Sequence, residues 1–143
     1  MKLTLSIATP ERLIYEDEVD FAVIPAAEGE VTILPGHAAF FTKIKPGEIR
    51  VKKDNEEIYM AVTGGFLEVS GNKATILADY AIRAEEIEEA EAEEAKKKAE
   101  ETMKEKRDTT NFLVAEAELR KAILELRVVR RKHQKPAVAN MGA

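Results

Sequence analysis

The chain changes character within one stretch, Ile76-Leu77-Ala78-Asp79-Tyr80-Ala81-Ile82-Arg83-Ala84-Glu85. Before this stretch, glycine and proline recur at short intervals between short apolar runs. From Asp79 to His133 there is neither a glycine nor a proline. Because glycine and proline mark turns, whereas Ala, Glu and Lys favour helices, the sequence predicts a β-rich part over residues 1–82 and a helical part over residues 83–133.

Apolar and polar residues alternate with a period of two through the first part. The alternating apolar positions are Leu3, Leu5 and Ile7; Val19, Phe21 and Val23; Val31 and Ile33; Ile49 and Val51; Ile58, Met60 and Val62; Leu67 and Val69. Turn signals such as Pro35-Gly36, Pro46-Gly47 and Gly71-Asn72 separate these runs. Many short strands at this spacing are typical of an antiparallel β-sandwich or barrel.

The second part reads as two helices. The first is predicted over Arg83 to Arg107, with acidic residues in its first turns and lysines later, an order that suits the helix dipole. Asp108-Thr109-Thr110-Asn111 interrupts the pattern and offers N-cap residues for a second helix from Phe112 to about Lys132. The sequence therefore predicts an antiparallel two-helix hairpin, followed by a disordered tail over residues 134–143.

The predicted contact between the two helices is made largely of small residues. The second helix carries an apolar stripe at Phe112, Ala115, Leu119, Ala122, Ile123, Leu126 and Val129, and the first offers Ala90, Ala92, Ala95, Ala99 and Met103. Alanine buries little apolar area, so at roughly 25 cal/mol per Å² such a seam is far weaker than a leucine seam. We expect a hairpin that closes weakly and is able to open.

Composition narrows the classes of function. The chain has 143 residues, no cysteine, two histidines and a net charge of -5. Cysteine nucleophiles, thiolate metal sites and disulfides are therefore absent, and the charge argues against nucleic acid as a partner. The apolar runs are too short to span a membrane, and the first residues do not resemble a signal peptide. We expect no catalytic site, no metal site and no direct insertion into the membrane.

Three local features could suggest chemistry, and each has a simpler interpretation. Gly64-Gly65 lacks a following Gly-Lys-Ser/Thr and lies between strands, where a turn or bulge is ordinary. His37 has no metal-ligand partner at a suitable spacing, so a loop histidine that contacts a partner or packs on the sheet is favoured. The acidic run Glu85 to Glu94 lies on a long exposed helix and indicates a solvated face.

The second helix is strongly basic on the side away from its apolar stripe. The basic residues are Arg120, Lys121, Arg127, Arg130, Arg131 and Lys132. Two interpretations stay open here, namely solubility and docking onto an acidic protein surface.

The chain resembles a known family, the epsilon subunits of bacterial and plastid F-type ATP synthases, from about Leu3 to His133. The segments that carry the resemblance are Glu28-Gly29-Glu30-Val31-Thr32-Ile33-Leu34-Pro35-Gly36-His37-Ala38, Val62-Thr63-Gly64-Gly65-Phe66-Leu67-Glu68-Val69 and Ile76-Leu77-Ala78-Asp79-Tyr80-Ala81. The family's fold, an N-terminal antiparallel β-sandwich followed by a C-terminal helical hairpin, agrees with the architecture predicted from periodicity.

The resemblance implies a non-catalytic rotor subunit of the central stalk. Its sandwich would bind the gamma subunit and the membrane-embedded c-ring, and would couple ion-driven rotation of that ring to ATP synthesis. The segments that face the c-ring in the family correspond here to Glu28, Gly29, Glu30 and His37. The location that follows is peripheral, on the cytoplasmic face of a bacterial membrane, with a plastid thylakoid as the alternative.

In the family, the hairpin swings between a form folded on the sandwich and an extended form that enters the catalytic head and blocks ATP hydrolysis. The partners of the extended hairpin would be the alpha and beta catalytic subunits, and by resemblance Arg127, Arg130 and Arg131 would face an acidic segment of a catalytic subunit. An element held by a weak seam suits such an exchange. The competing hypothesis, from a different class, is a freestanding adaptor protein built from a sandwich and a hairpin.

Some family members bind ATP through a hairpin motif, Ile/Leu-Asp-x-x-Arg-Ala. The corresponding residues here are Ile87, Glu88, Glu91 and Ala92, so a glutamate stands where the motif has its arginine. Because a carboxylate repels polyphosphate, we expect no cofactor, and ATP binding to the hairpin is not favoured.

Overall fold

The computed structural model describes residues 1–105 and 109–132, which form ten strands, one 3₁₀ turn and two α-helices. The strands are β1 Leu3–Ala8, β2 Leu13–Val19, β3 Phe21–Ala26, β4 Gly29–Ile33, β5 Phe40–Ile44, β6 Gly47–Lys53, β7 Glu56–Val62, β8 Gly65–Ser70, β9 Lys73–Ala78 and β10 Ala81–Arg83. The 3₁₀ turn is Ala84–Glu86, and the helices are α1 Glu89–Glu105 and α2 Thr109–Lys132.

The strands form one continuous sheet that folds over on itself. Its order is β10-β7-β6-β3-β5-β8-β9-β1-β2, and β4 pairs with β3 beside this path. A single residue pair, Ala26 with Ile44, joins β3 to β5 at the corner where the sheet turns from one layer to the other. The pairs are antiparallel except β1 with β9, which is parallel. The predicted β-sandwich followed by helices is therefore confirmed, with one parallel pair in an otherwise antiparallel sheet.

The core lies between the two layers and consists of large aliphatic side chains. One layer supplies Leu5, Ile7, Leu67 and Ile76, and the other supplies Ile24, Ile49, Met60 and Val62, each 0% exposed. Every buried residue of this core precedes Ile82. The helices contribute nothing to it, so the sandwich has a complete core of its own.

The alternation shifts by one residue between β2 and β3. The sequence predicted Val19, Phe21 and Val23 on one face, but the structure places Val19, Ala22 and Ile24 in the core. Asp20 lies between the two strands, and its backbone N–H donates to the carbonyl of Lys52 at 2.8 Å. This extra residue works as a bulge does, because it moves the following side chains to the opposite face.

The first helix begins later than the sequence predicted. Residues from Arg83 onward were expected to be helical, but Ala81–Arg83 form β10, which pairs with Val62, Ala61 and Met60 of β7. The 3₁₀ turn follows, and α1 begins at Glu89. Edge pairing to β7 outweighs helix propensity here, as tertiary contacts commonly do.

The second helix begins at Thr109 rather than at Phe112, because the first turn tolerates residues that are unfavourable in a helix interior. The predicted tail, residues 134–143, lies outside the described residues, as does Arg107, the expected end of the first helix. Within the described residues, no helix combines the length and the apolar character that crossing a bilayer requires.

Candidate functional site

The helix α2 docks on the outer face of the layer that contains β6 and β7. Leu124 and Val128 are buried against this face, and neither belongs to the stripe that the sequence predicted. They pack with Val129 on a small apolar cluster formed by Tyr59, Ala61, Ala84 and Ile87. The helix therefore has a second apolar side, which faces the sandwich.

The other apolar side of α2 packs on α1, which makes its main contact with α2 rather than with the sandwich. The buried residues of this seam include Ala92 and Ala99 from α1, and Ala115, Ala122 and Leu126 from α2. Ala90 and Ala95, predicted for the seam, are exposed, and Ile123 is 39% exposed. The expected small-residue character of the seam is confirmed, although fewer residues take part in it.

Arg130 joins the two helices. Its Nε lies 3.5 Å from Oε1 of Glu89, and its Nη2 donates to Glu93, so both acceptors come from α1. The acidic start of α1 is thus partly neutralised by the basic end of α2. In this closed hairpin, an arginine that was predicted to face the catalytic head pairs with carboxylates of its own chain.

Arg131 points to the sandwich instead. Its Nε lies 3.4 Å from Oε1 of Glu48 on β6. Glu48 also lies 3.9 Å from Nε of Arg50, whose Nη2 donates to both carboxylate oxygens of Glu30 at 3.1 and 3.2 Å. A chain of alternating charges, Arg131–Glu48–Arg50–Glu30, therefore runs from the hairpin across β6 to β4.

Glu48 is the most buried carboxylate of this chain of charges, with 11% of its side chain exposed. Burial raises the pKa of Glu48 above its ordinary value of 4.5, although Arg131 and Arg50 pull it down. Its Oε2 is buried and accepts no hydrogen bond from the described residues. Burial thus outweighs the nearby arginines in setting the direction of this pKa shift.

Arg127, the third predicted arginine, is exposed. It lines an open groove of about 380 Å³ together with Lys96, Ile123, Leu126, Arg130 and Arg131. The structure therefore brings the three predicted arginines to one end of α2, where all three line this groove, Arg130 also pairs with α1 and Arg131 also pairs with the sandwich.

Tyr80 holds the middle of α2 from the sandwich side. Its hydroxyl donates to Oε2 of Glu125 at 2.8 Å, and the ammonium of Lys121 lies 3.9 Å from the centre of its ring. Burial and this hydrogen bond raise the pKa of Tyr80 well above its ordinary range. Sequence reasoning did not single out this residue.

Comparison with known proteins decides the family. Residues 2–84 match the family model described as ATP synthase, Delta/Epsilon chain, beta-sandwich domain, and residues 85–130 match the corresponding long alpha-helix domain. The ATP synthase epsilon chain of Dehalococcoides mccartyi is 45% identical over 139 residues, which cover 96% of this chain and 99% of the relative. This chain belongs to the family of ATP synthase epsilon chains.

Other relatives agree with this assignment. The epsilon chain of Nitrosomonas eutropha is 46% identical over 130 residues, covering 89% of this chain and 91% of the relative. A chain in a cryo-EM structure of the mitochondrial ATP synthase of Euglena gracilis has a TM-score of 0.73 at 22% identity, covering 85% of this chain and 78% of that one. At this identity, the likeness to the solved structure supports the fold alone.

Within this epsilon-chain fold, the loop predicted to face the c-ring joins β3 to β4. Glu28 is exposed and Gly29 has a φ of 129°, a conformation that side-chain-bearing residues rarely adopt. Glu30 begins the outward face of β4 and pairs with Arg50. The loop thus combines a glycine-dependent turn with two outward carboxylates.

His37 lies elsewhere. It follows the other end of β4, after a turn in which the N–H of Gly36 donates to Oδ1 of Asn72 at 2.9 Å. Its ring is half-buried at a centroid distance of 5.8 Å from Phe40, and its Nδ1 is 2.8 Å from the carbonyl of Ala38. The structure therefore does not bring His37 and the Glu28–Glu30 loop into one cluster, and packing accounts for the contacts of this histidine.

The degenerate ATP motif has two buried apolar residues and two exposed glutamates. Ile87 is buried in the docking contact and Ala92 in the seam, whereas Glu88 and Glu91 are exposed. The cleft beside them is lined by the carboxylates Glu86, Glu88, Glu91 and Glu125, with Lys121 as its cation. Four carboxylates against one ammonium make this cleft unfavourable for a polyphosphate.

An exposed apolar patch on the other layer was missed at the sequence level. Phe41 and Phe66 stack with ring centroids 5.8 Å apart, and Leu77 lies directly across from Phe66. They are 64%, 43% and 60% exposed, respectively. A signal was available, because Phe66 and Leu77 occupy the outward positions next to the buried Leu67 and Ile76. We refer to Phe41, Phe66 and Leu77 as the aromatic patch.

Proposed function

We propose that this chain is a non-catalytic rotor subunit of the central stalk that couples rotation of a c-ring to ATP synthesis, and that its hairpin inhibits ATP hydrolysis when it extends. The observation that carries the inhibitory part is the pairing of Arg130 with Glu89 and Glu93, and of Arg131 with Glu48. Two of the three arginines that would bind an acidic segment of the head are therefore paired within the chain while the hairpin is closed, and Arg127 is exposed.

This arrangement supports an exchange between two states. Extension of the hairpin would free the arginines and break the contact of Leu124 and Val128 with the sandwich. The seam and the docking face are small, so the difference between the states is within reach of partner contacts, which typically shift such equilibria by about 1–3 kcal/mol. The sandwich keeps its own core in either state.

The test is ATP hydrolysis by the matching catalytic head with its gamma subunit. The full chain is compared with a version that ends after Glu88, the residue before α1. We expect both forms to bind and only the full chain to inhibit. If both bind and neither inhibits, the coupling role remains and the inhibitory role is excluded. If neither binds, the central-stalk role itself is contradicted.

The aromatic patch is the surface that we assign to the gamma subunit. Exposed apolar surface of this kind marks protein–protein contacts. Replacing both Phe41 and Phe66 with serine is expected to weaken binding to gamma by roughly tenfold or more, as for other aromatic residues at the centre of an interface. Leu13→Ser is the matched control, because Leu13 is a comparably exposed apolar residue, at 56%, on the distant strand β2. Equal loss of binding in the control would contradict the assignment.

The Glu28-Gly29-Glu30 loop is assigned to the polar surface of the c-ring, since its two carboxylates point outward. His37 is a second candidate for that partner, at the other end of β4. With these contacts the chain is peripheral to the coupling membrane, on the cytoplasmic face in a bacterium.

The acidic cleft supports the expectation of weak or absent ATP binding, and isothermal calorimetry that detects tight stoichiometric binding would contradict it.

A further inference from the structure

Glu48 occupies an unusual place at the border of the docking face. It lies directly opposite Ala61 of β7, so the two side chains are on the same side of the sheet. Ala61 is covered by the cluster that contains Leu124 and Val128 of α2. The carboxylate therefore lies at the edge of an apolar contact and next to Arg131 of α2, so departure of α2 would open it to water.

The charges around Glu48 are unequally placed. The groups that face it are Arg131 and Arg127 on α2, Arg50 on its own strand, Glu30 on β4 and Tyr59 on β7. Arg131 is the nearest cation, at 3.4 Å, and Arg50 is farther, at 3.9 Å, and shared with Glu30. Most of the positive charge that compensates the buried carboxylate therefore comes from α2, the helix that undocks when the hairpin extends.

The two partners of this ion pair differ in their access to water. Arg131 is 35% exposed, so water can solvate its guanidinium if Glu48 loses its charge. Glu48 is only 11% exposed, so its carboxylate has little alternative to Arg131 while α2 is docked. Removing one member of a buried pair is costly when the member left behind is buried and charged. The loss of Arg131 should therefore matter much more than the loss of Glu48.

We propose that Glu48 makes the closed hairpin depend on Arg131, so that capture of Arg131 by an acidic partner leaves a buried, poorly compensated carboxylate that favours release of α2. This regulatory role rests on the proposed exchange between closed and extended hairpins. Undocking returns Glu48 to water. The free energy gained in this way adds to the free energy that the partner gains by binding the arginine. The buried carboxylate therefore disfavours intermediate states in which Arg131 has left Glu48 but α2 is still docked.

The experiment uses the isolated full-length chain and measures amide hydrogen exchange of residues 120–130 relative to that of the sandwich strands. Four variants are compared with the unaltered protein: Arg131→Ala, Glu48→Gln, the double variant, and Arg120→Ala as the control. Arg120 is a suitable control because it lies on the same helix and pairs with Glu116 one turn away. Unchanged protection of the strands verifies that each variant is folded.

We expect Arg131→Ala to accelerate exchange in α2 by roughly tenfold, the equivalent of about 1.4 kcal/mol. Glu48→Gln and the double variant should stay within about twofold of the unaltered protein on this scale, as should Arg120→Ala. Acidification supplies a second readout, because protonation of Glu48 should slow the exchange of Arg131→Ala back toward that of Arg120→Ala at the same pH.

Two outcomes would overturn the proposal. If the double variant exchanges as fast as Arg131→Ala, Glu48 is not what makes the arginine necessary. If Glu48→Gln alone opens the hairpin as much as Arg131→Ala does, simple attraction across the pair explains docking. Hydrolysis assays with the catalytic head address the proposed function separately. If exchange follows the expected pattern and inhibition is absent in all variants, the inhibitory role fails while the role of Glu48 stands.

Discussion

The sandwich and the hairpin bury their apolar surfaces in different ways. The sandwich core is built from leucine, isoleucine, methionine and valine side chains that are essentially inaccessible to solvent. The hairpin seam relies on alanines, with Leu126 as a larger buried member. Fully burying a leucine-sized side chain contributes about 1.5–3 kcal/mol, whereas a methyl group contributes about 0.8 kcal/mol. The difference suits the sandwich to a fixed anchor and the hairpin to an element that moves.

Polar contacts supplement the weak apolar contacts of the hairpin. Arg130 connects α2 to two carboxylates of α1, and Tyr80 connects the sandwich to Glu125 of α2. The side chains of Arg130 and its partners are about half exposed. Exposed ion pairs contribute roughly 0–1 kcal/mol each. The hairpin is therefore held by several small terms, and a change in any one of them should shift its position without unfolding the sandwich.

The largest expected effect is in the sandwich core. Leu67→Ala removes a side chain that is 0% exposed and packed between the two layers. We expect the free energy of unfolding to fall by about 2–5 kcal/mol, as for other buried leucines. Urea denaturation followed by circular dichroism measures this change. Leu113→Ala is the control, because Leu113 is 55% exposed on α2 and should change the free energy of unfolding by less than about 0.5 kcal/mol.

A smaller and more local effect is expected at the docking face. Leu124→Ala removes the main aliphatic side chain between α2 and the cluster around Tyr59 and Ala61, and should weaken docking by about 2 kcal/mol. Amide exchange should therefore accelerate in α2 while the strands keep their protection. Ile123→Ala, at the neighbouring and more exposed position, is the matched control. Equal loss of protection in the strands would mean that the hairpin and sandwich unfold as one unit.

Much of the anchor was predictable from the sequence, whereas the attachment of the hairpin was not. Period-two alternation located strands such as β1 and β8 because each has one face in the core. The same reasoning failed at Asp20, where one extra residue shifts the alternation, and at Ala81–Arg83, where pairing with β7 overrides helix propensity. Both failures have tertiary causes that a local pattern does not contain.

The candidate site shows more clearly that a local sequence pattern does not reveal tertiary partners. The basic end of α2 was evident from the sequence, and the arginines do cluster there. Their partners were not evident, because Glu48 and Arg131 are separated by 83 positions and meet only after α2 docks. Leu124 and Val128 were missed for a related reason, since a single apolar stripe was expected and the helix has two contacts to satisfy.

Tyr80→Phe should produce a modest change in docking. The substitution removes the hydrogen bond to Glu125 but keeps the ring beneath Lys121. A hydrogen bond of this kind contributes about 1 kcal/mol net, so exchange in α2 should accelerate by roughly fivefold. Glu125→Gln, which retains an acceptor for the hydroxyl, should have a smaller effect. If both variants match the unaltered protein, Tyr80 contributes packing alone.

The smallest expected effect is a difference in pH dependence between the two regions. In the sandwich, the ammonium of Lys2 lies 2.7 Å from Asp20 and lowers the pKa of that carboxyl below its ordinary value of 3.8. Lys53 lowers the pKa of Asp17 in the same way. A carboxyl with a depressed pKa contributes stability above its ordinary pKa, and that stability is lost as the pH falls through the depressed value.

The pKa shift of Glu48, at the docking face, is opposite in sign to the shifts of Asp17 and Asp20. Because its pKa is raised in the docked state, its contribution to docking is complete below about pH 4.5 and is lost as the pH rises through the raised value. Lowering the pH toward 4.5 should therefore tighten docking while the sandwich is unaffected, and only below 3.8 should the sandwich weaken. The protection factors of amides in α2 and in β1, measured as a function of pH, separate the two trends. Asp20→Asn should weaken only the second trend, because Asp17 still contributes to it, and Glu48→Gln should remove only the first. A common response to both substitutions would show that the two regions titrate as one unit.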